Sequence, residues 1–275
     1  MIFNTIMVQL DVDSAATPRL IFARDVANRF EADLIAFAAA EAHVFVPSDE
    51  GGIAAAEMMR QRVEEIEERL TARREEVLSL AGDGARISWR GEMGNPTRLL
   101  AMNSRAADLI ISGTPAPGVA RDQNRTVDAG TLILSAGRPV LFAADSLAPL
   151  AAEKVLVAWK DTREARRAVA DAMPFLRAAR EVLVTTIAEG DQKAARESAA
   201  DVVRFLLKHG VKARSDVLGI GHANGAEALL EIARETGADL VVAGGYGHSR
   251  VRERIFGGIT RSLLDHGSLN RLLSN

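Results

Sequence analysis

Glycines that could cradle a phosphate group are concentrated in residues 239–260, which read DLVVAGGYGHSRVRERIFGGIT. One glycine ends an apolar predicted strand, a second leaves room for a ligand, and a Gly-Gly pair precedes a predicted helix. Free backbone N–H groups at the start of a helix bind phosphate. We therefore predict a nucleotide site whose backbone contacts come from Gly244, Gly247, Gly257, Gly258 and Ile259.

Polar side chains in the same segment could complete the site. The loop carries His248, Arg250, Arg252 and Arg254, and Thr260 offers a hydroxyl group. Guanidinium groups pair well with phosphate oxygens. We place His248, Arg250 and Thr260 in the predicted site. No catalytic residue or metal ligand is assigned, because no histidine pair has the H-E-x-x-H spacing and no serine has a nucleophile-elbow context.

An earlier predicted strand, KVLVAW, ends in residues that should face the same ligand, since parallel sheets bind ligands beyond the carboxyl ends of their strands. These residues are Ala158, Trp159, Lys160 and Asp161. Lys160 fits a phosphate-neutralising role and a solvated loop position equally well. Asp161, with Glu164 three residues later, has the pattern of the N-cap of the next helix. Trp159 is expected to pack at the strand end rather than to stack on adenine.

Two weaker patterns provide alternatives. Residues 219–225 (GIGHANG) follow a predicted strand and resemble a dinucleotide fingerprint. However, the strand is the third of its domain and no acidic strand end follows at the required spacing, so a loop before a helix is the better interpretation. His222 and His248 could serve a metal or a phosphate, but exposed loop histidines account for them more simply. The chain also lacks the G-x-x-x-x-G-K-[ST] pattern of P-loop enzymes.

The composition of the 275 residues excludes several classes of function. The net charge of −3 gives no reason to expect a nucleic-acid or membrane partner. The absence of cysteine excludes disulfides, thiolate catalysis and cysteine-bound zinc. The start, MIFNTIMVQLD, lacks the basic region of a signal peptide, and no apolar stretch approaches the ~20 residues of a membrane span. We expect a cytoplasmic protein.

An internal repeat organises the chain. AADLIISG at residues 106–113 matches GADLVVAGG at 237–245, and TIMVQLD at 5–11 resembles VLVAWKD at 155–161. A segment of small residues and proline, ADSLAPLAAE, lies between the copies. We therefore predict two domains, 1–146 and 153–275.

Each copy alternates predicted strands with predicted helices. The first copy has strands at 5–10, 33–38, 86–89, 108–112 and 139–142, with helices at 18–30, 54–80, 96–104 and 130–136. The second copy has strands at 154–159, 181–187, 211–217 and 240–243, with an amphipathic helix at 194–208. One apolar stripe on the long helix comprises Met59, Val63, Ile66, Leu70, Val77 and Leu80. This order predicts an α/β fold with two tandem open five-stranded sheets, mostly parallel, with helices on both faces.

The glycine spacing also carries a family resemblance. G-G-Y-G, nine further residues and G-G-I-T resemble the G-x-x-G-x(9)-G-[ST] motif of the universal stress protein family. The resemblance extends over both halves, including Gly-Arg-Pro-Val at 137–140. The arrangement of the chain is similar to that of tandem members, which have two such domains in one chain. It implies an adenine-nucleotide alpha-hydrolase-like, Rossmann-like fold that binds ATP (or ADP or AMP, with Mg²⁺) without efficient catalysis. It also implies pairing of the last strands of the two domains, here 137–142 with 271–274, and allows a homodimer.

The second half departs from the family pattern at two positions. Gly258 stands where the family prefers serine or threonine, and Thr260 could supply the missing hydroxyl. Lys160 stands where the resemblance implies a carboxylate, and Asp161 follows one residue later. Neither departure removes the backbone amides of the glycine loop that are predicted to bind phosphate.

The first half keeps the acidic position but lacks the glycine loop. Asp11 follows the first predicted strand, whereas residues 114–132 contain no Gly-Gly pair and Asp128 adds negative charge. We predict that this half does not bind ATP in the same manner and instead packs against the second half.

Three functions are compatible with these features. The first is an ATP-binding stress-response protein, non-catalytic or slowly hydrolysing, in which the nucleotide orders the glycine loop and alters a partner-binding surface. The second is an enzyme on the same scaffold that cleaves ATP between its α and β phosphates. The third is a nucleotide-free interaction module, which the departures at Gly258 and Lys160 keep open. Because no general base can be named, we favour the first.

Overall fold

The computed structural model describes residues 2–44, 52–81, 86–113, 122–188, 190–219, 225–246 and 258–275. Its backbone contacts divide the chain into two compact units, Asn4–Ala136 and a second formed by Met1–Phe3 with Gly137–Asn275. This division falls before the linker used for the predicted domains 1–146 and 153–275, so residues 137–146 join the second unit.

The unit of residues 4–136 is an α/β unit with a parallel sheet. Its described residues include β1 (Thr5–Gln9), β2 (Asp33–Ala40), β3 (Ile87–Met93) and β4 (Leu109–Ser112), in the order β3-β2-β1-β4. They also include helices α1 (Thr17–Arg29), α2 (Gly52–Ala81), α3 (Pro96–Asn103) and α4 (Ala129–Ser135). Strands and helices alternate as the sequence predicts.

Helix α2 is less buried than its apolar stripe suggests. Of the six residues in the predicted stripe, Ile66 and Val77 are fully buried, whereas Met59 is 38% exposed. The amino-terminal part therefore contributes little to the core. Helical spacing showed that an apolar face exists but not how far the rest of the unit covers it.

The unit of residues 137–275 has a six-stranded sheet over its described residues. The strands are β5 (Val140–Phe142), β6 (Lys154–Ala158), β7 (Glu181–Ile187), β8 (Ala213–Leu218), β9 (Leu240–Gly244) and β10 (Asn270–Ser274). Their order is β5-β10-β9-β6-β7-β8, and all described pairs are parallel except β5 with β10. The predicted fold class is confirmed, but the contacts group the strands as four and six rather than five and five, because β5 pairs with β10.

The helices of this unit pack on both faces of the sheet. They are α5 (Arg163–Asp171), α6 (Met173–Ala178), α7 (Gln192–Lys208), α8 (Gly225–Thr236) and α9 (Gly258–Asp265). On one face of the sheet, Arg271 of β10 donates to a carbonyl group of α9. Ser274 is three residues further along β10 and therefore points to the opposite face, the same face as its strand partner Gly244. Gly244 lies against α5, so α5 and α9 cover opposite faces.

The pairing of β5 with β10 places Arg271, Leu272 and Leu273 beside Phe142, Leu141 and Val140. It confirms the predicted meeting of residues 137–142 with residues 271–274. Two of the apolar side chains, Leu272 and Leu273, are completely buried, although the segment is more polar than its partner. Burial on both faces is what stabilises so short a strand.

Side-chain caps define several helix starts. The side chains of Asn95, Asp128, Thr162 and Asp191 accept backbone N–H groups in the first turns of α3, α4, α5 and α7. Such caps satisfy amides that the helix itself leaves unpaired. Over the described part of the chain, no helix is both long and apolar enough to cross a membrane.

Candidate functional site

The carboxyl ends of β6 and β9 lie side by side in the second unit. The two strands are parallel and in register from Val155 beside Leu240 to Ala158 beside Ala243. After β6 the chain continues to β7 on one side, whereas after β9 it continues to β10 on the other. The strand order therefore reverses here, and open α/β sheets bind ligands at such a switch point.

Gly244, the last residue of β9, is required by a close approach rather than by an unusual backbone angle. A β-carbon at this position would stand 2.6 Å from the Ala165 nitrogen and 2.8 Å from the Glu164 carbonyl carbon. Gly244 is not among the glycines with positive φ. Gly244 ends the strand, as the sequence predicts, and the absence of a side chain there admits the first turn of α5.

The start of the glycine loop is held by residues from distant parts of the unit. The Gly245 amide donates to the Ser274 carbonyl at 2.7 Å, and Asn275 Nδ2 donates to the Gly245 carbonyl at 2.8 Å. The Tyr246 amide donates to Thr260 Oγ1 at 3.5 Å. Tyr246 has a φ of +58°, a left-handed conformation that non-glycine residues rarely adopt.

Thr260 is therefore a contact between the loop and α9. Its side chain is buried, and the lone pair that accepts from Tyr246 ties the first turn of α9 to the chain leaving β9. A hydroxyl group can donate while it accepts, so the hydroxyl hydrogen is still available to a phosphate. Gly258 and Ile259 lie in the first turn of α9, as the sequence predicts.

The far end of α9 is bound by a buried arginine. Arg271 Nη1 donates to the carbonyl groups of Leu263 and His266, and Nη2 donates to the Ala143 carbonyl at 3.0 Å. Burial lowers the pKa of Arg271 to about 10, which the Asp145 carboxylate partly opposes. The guanidinium is still cationic at neutral pH, and a cation at a helix carboxyl terminus is favourable.

The residues at the end of β6 divide into buried and exposed ones. Ala158 is half-buried between Thr185 of β7 and Ala243 of β9. Trp159 is 6% exposed, and its indole Nε1 donates to Ser198 Oγ of α7 at 3.0 Å. The indole therefore packs at the strand end, as expected from the sequence, and tethers β6 to α7.

Asp161 does not cap α5, so that prediction is wrong. The N-cap is Thr162, whose Oγ1 accepts the Ala165 amide at 3.3 Å. Asp161 is exposed and accepts two hydrogen bonds from Arg166, at 2.7 and 3.1 Å. Threonine is also a favoured cap, and a shift of one residue leaves the aspartate free to pair with a cation. Lys160 precedes this turn and is exposed, and its carbonyl accepts the Thr162 amide.

Glu164, whose backbone and β-carbon lie against Gly244, has a buried carboxylate. Burial raises the pKa of this carboxyl group, but hydrogen bonds from Arg163, from its own amide and from Thr162 outweigh burial and leave the pKa below its usual value. The carboxylate is thus held in its charged form in the first turn of α5. A group so fully bonded is a structural anion rather than a base available to water.

Three buried hydroxyl groups at the carboxyl ends of β7 and β10 have no hydrogen-bond partner within the described parts of the chain. They belong to Thr185, Thr186 and Ser274. Buried hydroxyl groups are normally bonded, so each can accept a partner that arrives with a ligand or water. Ser274 is the strand partner of Gly244 and lies next to the predicted loop.

Four predicted site residues, Gly247, His248, Arg250 and Gly257, lie outside the described residues. Their assignment stays a prediction from the sequence. His222, interpreted as an exposed loop histidine, also lies outside the described residues. Among the residues that are described, no group of three acidic or histidine side chains could hold a metal ion.

The corresponding position in the first unit is filled by an arginine. Asp11 follows β1 and pairs with Arg19 at 3.0 Å, and Gln9 Nε2 donates to the same carboxylate at 2.9 Å. Arg19 also donates to the carbonyl and side-chain oxygens of Gln9, and it lies where a side chain on Gly113 would be. The carboxylate is thus satisfied within the protein. Asp128 caps α4 by accepting the Thr131 amide, which accounts for its place in the sequence.

Sequence reasoning missed the residues that hold the loop from a distance. Ser274, Asn275 and Arg271 act through β10, and Ser198 acts through α7. No local motif marks them, because each contact joins two elements, or an element and a loop, whose packing the sequence does not show.

Comparison with known proteins agrees with this architecture. The model of the Universal stress protein family matches residues 151–270. No match is found among curated proteins.

Solved structures resemble the whole chain. A universal stress protein from Archaeoglobus fulgidus DSM 4304 has a TM-score of 0.72 at 15% identity, covering 99% of this chain and 96% of that one. A functionally unknown protein from Pseudomonas aeruginosa PAO1 has a TM-score of 0.61 at 16% identity, covering 99% and 92%. At these identities the likeness establishes the fold.

Proposed function

Residues 151–270 form a domain of the universal stress protein family, and from this premise we propose that the unit of residues 137–275 binds an adenine nucleotide. The ligand is ATP, with Mg²⁺, or ADP or AMP. It lies beyond the carboxyl ends of β6 and β9. Binding of the nucleotide orders the glycine loop and thereby changes a surface that a partner protein binds. The protein acts in the cytoplasmic stress response.

One observation carries this proposal. The strand order reverses between β6 and β9, and the glycine loop predicted to hold phosphate leaves the sheet at this reversal. The loop ends at α9, whose first turn contains Gly258 and Thr260. Backbone N–H groups there are available for an anion, and the helix dipole favours negative charge.

The side chains around the site support binding more than catalysis. The buried carboxylate of Glu164 is occupied by Arg163 and Thr162, and Asp161 is paired with Arg166. Neither is poised to activate water. We therefore propose that the protein hydrolyses ATP slowly or not at all.

Calorimetric titration of the purified protein with ATP, ADP and AMP, with and without Mg²⁺, tests the proposal. We expect saturable binding of one nucleotide per chain. Gly247→Val or Gly257→Val should abolish binding, because the added side chain would fill the predicted backbone cradle. Gly190→Val is the matched control, since no atom of the described residues lies within 4 Å of a β-carbon at Gly190.

The outcomes separate the three functions. No binding by the wild-type protein would leave an interaction module without nucleotide. Formation of AMP and pyrophosphate at catalytic rates would instead identify an enzyme that cleaves between the α and β phosphates. Nucleotide that stays bound through purification and is released unchanged on denaturation would support the binding function.

A further inference from the structure

Both described flanks of the glycine loop contact the same strand, β10. At the first flank, the Gly245 amide bonds to the Ser274 carbonyl and the Gly245 carbonyl bonds to Asn275 Nδ2. Gly245 therefore has both of its backbone polar groups fixed, one by the last residue of β10 and the other by Asn275, the next residue. Two hydrogen bonds to one residue define its position and its orientation.

At the second flank, β10 holds α9 through Arg271. The guanidinium is completely buried and takes up carbonyl groups at the end of α9, which a helix leaves unpaired. Its other arm bonds to the Ala143 carbonyl just after β5. Movement of α9 relative to β10 would leave these carbonyls and a buried cation without partners, which is costly.

We propose that Asn275, Ser274 and Arg271 are positioning residues for the nucleotide site, so that nucleotide binding and the docking of β10 stabilise each other. The inference rests on the proposed function. The three residues hold Gly245 and α9 at the separation the bound state needs, and they need not touch the ligand.

The conformation of Tyr246 supports a positioning role. Its φ of +58° is unfavourable for a residue with a side chain, and such outliers persist only where the surroundings hold them. Here the neighbouring Gly245 is fixed by β10, and the Tyr246 amide is fixed by Thr260. Binding is stronger when a loop is already in its bound conformation, because less ordering entropy is lost.

The chain contains a built-in probe of this region. Tyr246 is its one tyrosine, so protein labelled with ¹⁵N-tyrosine gives a single backbone amide signal in a two-dimensional NMR spectrum. That amide is the group that donates to Thr260. Titration with ATP and Mg²⁺ should move the signal of the wild-type protein and yield its Kd.

Two isosteric variants, one at the first residue of β10 and one directly after its last residue, provide a matched comparison. Asn275→Asp removes the amide donor to the Gly245 carbonyl, and Asn270→Asp removes the amide donor to the Asp239 carbonyl at the other end of the strand. Both introduce the same charge. We expect Asn275→Asp to shift the Tyr246 signal without ligand and to weaken ATP binding by about 5- to 10-fold. Asn270→Asp should lower the melting temperature at least as much as Asn275→Asp does. It should leave the Tyr246 signal and the Kd for ATP unchanged from the wild type.

The Kd values of the two variants decide whether Asn275 positions the nucleotide site. A Kd for Asn275→Asp within twofold of the wild type, or equal weakening in both variants, overturns the positioning role. Absence of binding by the wild-type protein overturns the proposed function and the coupling with it. In that case the ligand-free Tyr246 signal still decides whether Asn275 positions the loop, because the signal should move in Asn275→Asp and stay in Asn270→Asp.

Discussion

The backbone nitrogen of Ala165 lies 2.6 Å from the point where a β-carbon on Gly244 would be. The end of β9 and the first turn of α5 are thus packed backbone against backbone. The obstacle is main chain rather than the tip of a flexible side chain, so it cannot move aside cheaply. This contact sets the distance between the helix that follows β6 and the loop that follows β9.

Alanine at Gly244 should separate these two elements. We expect Gly244→Ala to lower the free energy of unfolding by about 1–3 kcal/mol, the usual cost of overpacking. Urea denaturation measures this effect. Gly190→Ala is the control, because that position is open and the substitution should leave stability unchanged or raise it slightly. Equal stability of the two variants would contradict the close packing.

Removal of the Thr260 hydroxyl should loosen the start of the glycine loop. Thr260→Val keeps the shape of the side chain but leaves the Tyr246 amide without its acceptor, which we expect to cost about 0.5–1 kcal/mol in nucleotide binding. Thr260→Ser retains the hydroxyl and should bind nearly as the wild type does. Calorimetry with ATP measures the difference, and equal affinity of the two variants would show that the hydroxyl has no such role.

The pairing of Arg19 with Asp11 should stabilise the first unit without affecting the nucleotide site. Both side chains are about three-quarters or more buried. We expect Arg19→Met to cost about 1–3 kcal/mol, between the values for exposed and fully buried pairs. A cycle with Asp11→Asn should recover part of this loss, because the double variant leaves no unpaired charge.

The same variants test the prediction that the first half does not bind ATP in the manner of the second half. The stoichiometry of ATP binding should stay at one per chain in Arg19→Met. Independent, additive effects of the two substitutions on stability would contradict the pairing.

Acid should destabilise the fold through carboxylates held in their charged form. Burial raises the pKa of Glu164, but hydrogen bonds led by Arg163 lower it further, so its folded pKa lies below the ordinary value of 4.5. Glu76 shifts in the same direction, because hydrogen bonds from Thr17 outweigh burial. Since the unfolded chain binds protons first, their stabilisation is complete above about pH 4.5 and is lost as the pH falls through the folded pKa.

Urea unfolding between pH 3 and pH 7 measures this dependence. Glu164→Gln should be less stable than the wild type at pH 7 and should lose less stability on acidification. Parallel curves for the two proteins would show that Glu164 is not the group responsible.

The sequence was sufficient for features that depend on local pattern. The strand predicted at 181–187, EVLVTTI, has its observed bounds, and the internal repeat predicted the alternating order in both units. The N-cap of α5 was misplaced by one residue, because Asp161 and Thr162 are both good caps and the choice depends on Arg166, which pairs with the aspartate. Contacts made by Asn275 and Arg271 could not be predicted, since they depend on which carbonyl groups the tertiary packing brings within reach of each side chain.

The antiparallel pairing of β5 with β10 determines where the second unit can be cut from the chain. The family model begins at residue 151, which excludes β5. A fragment starting there would leave the backbone N–H and C=O groups of Arg271 and Leu273 facing solvent along one edge of β10. An unpaired apolar edge recruits strands from other molecules. A fragment intended to keep this edge of β10 covered must therefore include β5 and begin no later than Val140.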